Sequence, residues 1–270
     1  MSTDHISEQA LNQMTNDLDQ LHHDQTQPAM NEAVDEWAEL HREADAADAR
    51  RPSRHSRRTF LLGTGAAVAG GVVLAACSSS TPTSSSSTTA SSGGALSGDL
   101  QVAAMAASLE NLAVGTYQAA IQAAQGGHLG TVPPAIANFA QTVMSQHSDH
   151  AKAWNAVLQQ AGKQAVTGPD PVLKPTVDQG FAKVTDVTGV AQLALVLENT
   201  AAQTYQNGVG VLSNSGAIKT AATIQPVEMQ HAAILYYVLG KYPGAQDANG
   251  TPLAFNPITL ARPPSDYRGG

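Results

Sequence analysis

Cysteine occurs once in this 270-residue chain, at Cys77. That excludes an internal disulfide framework and a thiolate zinc site built by the chain alone. A basic patch is missing as well. The net charge is −8, most of it carried by the first fifty residues, and beyond Cys77 eight Lys and Arg are scattered among ten Asp and Glu. Such a balance argues against nucleic acid as a partner. No alternating apolar–polar run of useful length is present, so a sheet is not expected. The main uninterrupted apolar stretch, 61–76, falls short of the roughly 20 residues a comfortable membrane span needs. Glutamate is scarce in one region only. After Cys77 there are three, Glu110, Glu198 and Glu228, with four histidines, His128, His147, His150 and His231.

What is present divides the chain. Residues 1–55 form an acidic extension: the first fifty carry twelve Asp and Glu against Arg42 and Arg50. With few large apolar residues, it is expected to be disordered or marginally helical. Residues 78–98 are almost wholly Ser, Thr, Gly, Ala and Pro, a flexible linker. Residues 99–242 are one domain of ordinary size, long enough to bury a core. The tail, 243–270, is rich in Pro and Gly. Its Leu253, Phe255, Ile258 and Leu260 suggest extended chain packed across the domain surface.

Between the extension and the linker, Ser56-Arg57-Arg58-Thr59-Phe60-Leu61 runs into a weakly apolar, Gly- and Ala-rich stretch that ends Leu74-Ala75-Ala76-Cys77. Residues 56–77 resemble a twin-arginine signal peptide followed by a lipoprotein signal-peptidase box, both halves in the right order and at the right spacing. The short apolar run fits a signal segment better than an anchor. The resemblance implies recognition of Arg57 and Arg58 by the twin-arginine export machinery, lipidation of Cys77 and loss of residues 1–76. The protein would then be exported and lipid-anchored at the outer face of the bacterial cell membrane or in the periplasm. The long acidic segment is unusual before such a signal. It is either a cytoplasmic extension lost on cleavage or a sign that Met30 or a later codon is the start.

In the domain, apolar and small residues recur at helical spacing. The pattern predicts helices over about 100–125, 133–161, 187–212 and 216–240. Pro133-Pro134 opens the second, Gly162 closes it, Asp186 or Thr185 caps the third, and Gly240 with Pro243 stops the fourth. Pro226, inside the fourth, is expected to kink it or loosen its bonding. The first and second helices are joined by a short link, as are the third and fourth, so each pair reads as an antiparallel hairpin. The stretch 162–186 is long enough to cross a bundle end to end. The expected fold class is all-α: a four-helix bundle of two antiparallel hairpins with a long crossover.

The hairpins repeat each other. Leu109-Glu110-Asn111-Leu112-Ala113-Val114-Gly115-Thr116-Tyr117-Gln118 aligns with Leu197-Glu198-Asn199-Thr200-Ala201-Ala202-Gln203-Thr204-Tyr205-Gln206, and seven of the ten positions are identical. Later in each hairpin His147-Ser148-Asp149-His150 is matched by Glu228-Met229-Gln230-His231. Glu110, His147, His150, Glu198, Glu228 and His231 all fall on the apolar stripes, and the i, i+3 pairs share a face. An unpaired buried carboxylate costs several kcal/mol, roughly. Three on core seams, with none on the surface, therefore point to inward ligands. Mixed carboxylate and imidazole donors suit iron or manganese, with zinc possible. A Glu/His hydrogen-bond network without metal is the alternative.

With one Glu from each of two helices and a pair at i, i+3 from the other two, residues 100–240 resemble the ferritin-like superfamily, in particular its exported ferritin-like domain proteins. The resemblance implies a di-iron carboxylate centre in which Glu110 and Glu198 are terminal ligands, Glu228 bridges, and His150 and His231 each bind one metal. His147 departs from the pattern, which has a bridging Glu there, so the site could hold two ions or one. Tyr117 and Tyr205, two turns beyond Glu110 and Glu198, are either donors to the ligands or core residues with a bonded hydroxyl. Trp154 is expected to pack in the core and His128 to lie in a loop. Three functions are compatible with this: a surface oxidase, ferroxidase or peroxide-reducing enzyme; a metal-binding module without turnover; or a structural, stress-related envelope lipoprotein.

Overall fold

A computed structural model describes residues 6–50, 96, 98–241, 259–263 and 265. The chain divides into two compact units, one of 1–43 with 96–270 and one of 44–95. Of the second, only the helical stretch 44–50 is described. Arg57, Arg58, Cys77, nearly all of the 78–98 linker and most of the tail lie outside the described residues. Among the described residues there is no strand, and no helix is long and apolar enough to cross a membrane.

Two helices precede the bundle, α1 (Glu8–Leu21) and α2 (Gln27–Arg50). The bundle is made by α3 (Asp99–Gln125), α4 (Pro134–Gln160), α6 (Val187–Val211) and α7 (Ser215–Val238). Each bundle helix begins and ends within about two residues of its sequence-based span. Pro134 takes the first helical position of α4, where its missing N–H would have had no partner anyway. Gly162 follows α4 at φ +67°, the left-handed conformation that closes a helix most cheaply in glycine. Asp186 rather than Thr185 caps α6, its Oδ1 accepting the Gly189 N–H at 2.7 Å. α7 continues through Pro226 without a break. The α3–α4 and α6–α7 hairpins are joined by the crossover, which carries a short helix not anticipated, α5 (Lys174–Phe181).

The core has two apolar halves. One contains Ala103, Ala107, Trp154, Val157, Ala221 and Ile224; the other contains Phe139, Val143, Ala191, Ala194, Ala232 and Leu235. Along every bundle helix the candidate ligands fall between the two sets. The apolar stripes thus hold a polar layer shut from both ends.

The expectation that 1–55 is disordered or marginally helical is corrected for 6–50, which is almost wholly helical. α1 and α2 are joined by one π-helical turn, His22–Thr26, into an arm packed on the bundle. Leu11, Thr15, Leu18, His22, Thr26, Met30, Ala33, Val34 and Trp37 are buried along one stripe. Leu11 and Leu18 join one apolar half, and Met30, Val34 and Trp37 join the other. The stripe has helical period, but three of its members are polar and ten described acids, from Glu8 to Asp45, crowd the other faces, so composition alone conceals it. At the far end, Leu260 N–H donates to Gln203 Oε1 at 2.8 Å and Arg262 N–H to Thr204 Oγ1 at 2.9 Å. This part of the tail therefore lies along α6.

Arg262 and Asp170 pin the tail to the crossover. The Arg262 Nη1 donates to Asp170 Oδ1 at 3.2 Å, and both side chains are buried. The same oxygen accepts the Val172 and Leu173 N–H groups. Replacing Asp170 by Ala removes all three bonds and is expected to cost about 3 kcal/mol. Urea denaturation of the full chain measures it, and a loss below about 0.5 kcal/mol, the level of an ordinary surface change, would contradict this account.

Candidate metal centre

All six candidate ligands meet in the buried layer. Glu110, His147, His150 and Glu228 offer one ligand atom each within 4.8 Å of one another, and so do His147, Glu198, Glu228 and His231. His147 and Glu228 belong to both groups. Every one of the six is nearly inaccessible to solvent.

The contacts between them are of two kinds. Some are hydrogen bonds. His147 Nδ1 lies 2.7 Å from Glu110 Oε2 and its Nε2 3.2 Å from Glu198 Oε1. His231 Nδ1 lies 3.2 Å from Glu198 Oε2. Others are close without hydrogen-bond geometry. His150 Nδ1 is 2.8 Å from Glu228 Oε1 and 3.6 Å from Glu110 Oε2. Yet neither ring nitrogen of His150 and neither oxygen of Glu228 makes a hydrogen bond. Buried donors and acceptors are almost always paired. Lone pairs that sit close but miss each other suit a shared cation, because ligands at about 2.1 Å from a metal stand about 3 Å from one another. A void of about 20 Å³ borders Glu110, His147 and Glu198, enough room for one water-sized body. The donor set and the orphaned atoms fit one or two divalent ions.

The tyrosines reach the site. Tyr117 on α3 donates to Glu198 Oε1 on α6 at 2.5 Å, and Tyr205 on α6 donates to Glu110 Oε1 on α3. Each repeat thus supplies the hydroxyl that binds the other repeat's carboxylate. Trp154 does more than pack, since its indole N–H donates to the Tyr205 oxygen at 2.9 Å. Tyr117 also lines an apolar cavity of about 110 Å³, with Ile121, Ile136, Phe139, Val190 and Leu235.

Two participants escaped the sequence reading. Gln146 Oε1 lies 2.8 Å from His231 Nε2. It anchors the far side of the ring and so holds His231 with Nδ1 turned toward Glu198 and Glu228. Its position directly before His147 was the only available signal. His22, on the π turn of the arm, stands with its ring 5.3 Å from that of His150. Nothing in the sequence marks it, because the segment that carries it is expected to be disordered or marginally helical. His128 is an exposed turn residue, as its sequence suggests.

Electrostatics tie the layer together. Burial disfavours a charged His147, but the Glu228 and Glu198 carboxylates outweigh it and hold its pKa well above the usual histidine value. Burial likewise works against His150, and Glu110 with Glu228 overrides it, raising the group to about 9. His231 is raised against burial by Glu198 and then Glu228. In the other direction, burial would raise Glu110, yet His150 and His147 bring it down to about 2. Glu198 falls well below the usual value because His147 and His231 overcome its burial. Burial first, then Glu198 for Tyr117 and Glu110 for Tyr205, pushes both phenols far up. They therefore stay protonated and donate.

A family model described as the ferritin-like domain matches residues 98–241. No curated protein matches the chain, and no solved structure matches it.

Without metal, these shifts fix a stability profile. The lowered Glu110 contributes stability that is complete above the usual 4.5 and lost as pH falls toward about 2. The raised His150 contributes stability that is complete below the usual 6.5 and lost as pH rises through about 9. In chelator the melting temperature is expected to be highest between pH 4.5 and 6.5 and to decline on both sides. Added Mn(II) should raise it most at the alkaline end, where the imidazoles no longer hold protons. Calorimetry across this range checks both, and a flat profile from 5 to 9 would contradict them.

Proposed function

We propose, for a chain that belongs to the ferritin-like domain family, that it binds iron or manganese at this layer and uses the ion to reduce dioxygen or peroxide at the cell surface. The single observation that supports a metal is the pair His150 and Glu228. Both are wholly buried and 2.8 Å apart, and both have every side-chain polar atom without a hydrogen bond. A protein that needed only a hydrogen-bond network would turn these groups toward each other.

An ion would be held by Glu110, His147, His150 and Glu228 or by His147, Glu198, Glu228 and His231, two groups that share His147 and Glu228. Bound there, iron or manganese would supply the electron transfers that reduce an oxygen substrate. The chain's own groups do the rest. Tyr117 and Tyr205 fix one oxygen of Glu198 and Glu110 and leave the other for the centre. Gln146 fixes the orientation of the His231 ring. The apolar halves above and below exclude bulk water, which strengthens every charge interaction in the layer. The cavity that Tyr117 lines would give a small apolar molecule such as dioxygen a place to wait beside the Glu198 partner. His147 limits the count of ions, since its two nitrogens already engage Glu110 and Glu198. A single-ion centre is the form this contact favours.

Metal analysis of the purified full chain is expected to find one or two ions of iron or manganese. Glu228→Ala should abolish binding, and Fe(II) added to the wild type should drive dioxygen consumption. A chain that takes up neither metal would end the proposal. Metal uptake without consumption of dioxygen or peroxide would leave a binding module and remove the enzyme.

The sequence around Arg57, Arg58 and Cys77 supports export and a lipid tether at Cys77. Expressed in a host with the twin-arginine pathway, the wild type is expected in the membrane fraction and Cys77→Ser in the soluble fraction. Equal partition of the two would refute the tether.

A further inference from the structure

The proposed centre leaves His22 unused. This histidine is 2% exposed, and neither ring nitrogen has a hydrogen-bond partner. Burying an imidazole without partners is unfavourable, so its position needs a reason. Packing alone gives none, because Leu would fill the same place on the stripe between Leu18 and Met30.

Its surroundings do. On one side lies the ring of His150, 5.3 Å between centroids, whose Nε2 also has no partner. On the other lies Asp149, with Oδ2 3.6 Å from His22 Nε2. Asp149 is part-exposed at the surface of α4 and steadied by Gln27 and Lys152. Carboxylate, imidazole and imidazole thus step inward from solvent to a proposed metal ligand. The local backbone is built for this. His22–Thr26 is a π-helical turn within an otherwise α-helical arm. Such turns insert a residue into the register at a cost and recur at functional positions. The arm is also seated by design, not by loose adhesion. A Cβ on Gly216 of α7 would stand 2.5 Å from Ala33 O and Trp37 N of α2, and Glu36 accepts from Ser215 and Lys219 of α7.

We propose that His22 and Asp149 form an entry site where a divalent cation binds at the junction of the arm and α4 before passing to His150. The inference rests on the reading of the buried layer as a metal centre and adds the route by which the centre fills. Asp149 supplies a charged oxygen at the surface, and His22 supplies a nitrogen in place of lost water at the next step. Both donor types suit the metals the centre would take. The arm lies before Cys77, so removal of residues 1–76 would take His22 away. Loading through this site would therefore belong to the precursor, ahead of export.

The test uses the full chain and Co(II) as a spectroscopic probe of uptake. Stopped-flow absorbance gives the loading rate, and metal analysis gives the final occupancy. His22→Leu and Asp149→Asn are each expected to slow loading by about tenfold or more, the scale of losses at residues supporting a metal site, with final occupancy unchanged. Asp178→Asn, an exposed carboxylate of α5, should load at the wild-type rate. His22→Leu is expected to melt no lower than the wild type, since it replaces an unsatisfied polar group; a purely structural His22 would give a lower melting point and a normal rate. Gly216→Leu, which lifts α2 from α7, should slow loading as His22→Leu does. Loading at the wild-type rate in His22→Leu overturns the entry site and leaves the centre standing. A wild type that takes up no Co(II), Fe(II) or Mn(II) overturns both.

Discussion

Three carboxylates and three imidazoles are held in one dry layer between two apolar halves, and the rest of the fold answers to that constraint. Each group alone would be too costly to bury. Together they are tolerable because acid and base shift one another: Glu110 is lowered by His150 and His147, and those histidines are raised by the carboxylates around them. The balance also explains why the metal-free layer can exist at all. Without metal, protons on the imidazoles stand in for the cation's positive charge. A divalent ion bound there would compete with those protons for the same seat, so binding and pH would be linked through the same six side chains.

Duplication of a helical hairpin accounts for the layout. Each repeat brings one lone Glu and, seven residues on, one Tyr. In the folded bundle the Tyr of each repeat serves the Glu of the other. Neither hairpin could complete its own carboxylate's bonding, so the tyrosines give the pairing of the two halves a polar specificity that alanine-rich seams lack. Symmetry breaks in the second pair. His147 stands where Glu228 stands in the other hairpin, and it bonds to both lone carboxylates at once. Half of the site is therefore closed by hydrogen bonds, while the other half, His150 and Glu228, is left open.

The four bundle helices were legible because their stripes are long, and their ends carry Pro134, Gly162 and Asp186, residues with a single structural use. The site was legible for a compositional reason. Glutamate is absent from the exposed faces after Cys77, so each one that occurs had to be accounted for. Gln146 was hidden because a buried amide leaves no pattern, and α5 because eight residues give too few turns for periodicity to show. The arm was hidden for the opposite reason from the bundle. Its buried stripe mixes Thr15, His22 and Thr26 with Leu, Met and Trp, and its acids dominate any average taken over the segment.

That arm changes how the chain's order should be read. A segment whose sequence suggests only a charged leader forms a stripe spanning both apolar halves and sets an imidazole against the buried layer. A start at Met30 would delete α1 and the π turn and expose the groove they fill. A chain cut before Cys77 would lose α2 as well. The apolar surface beneath Leu11, Leu18, Met30, Val34 and Trp37 would then face water, a cost that hydrophobic burial at about 25 cal/mol per Å² makes substantial. If residues 1–76 are removed, the mature bundle must therefore either accept a looser seam along α4 and α7 or cover it with another surface. In either case the full-length and the shortened chain would differ in stability and in access to His150, a difference that would follow from the order of the segments along the chain.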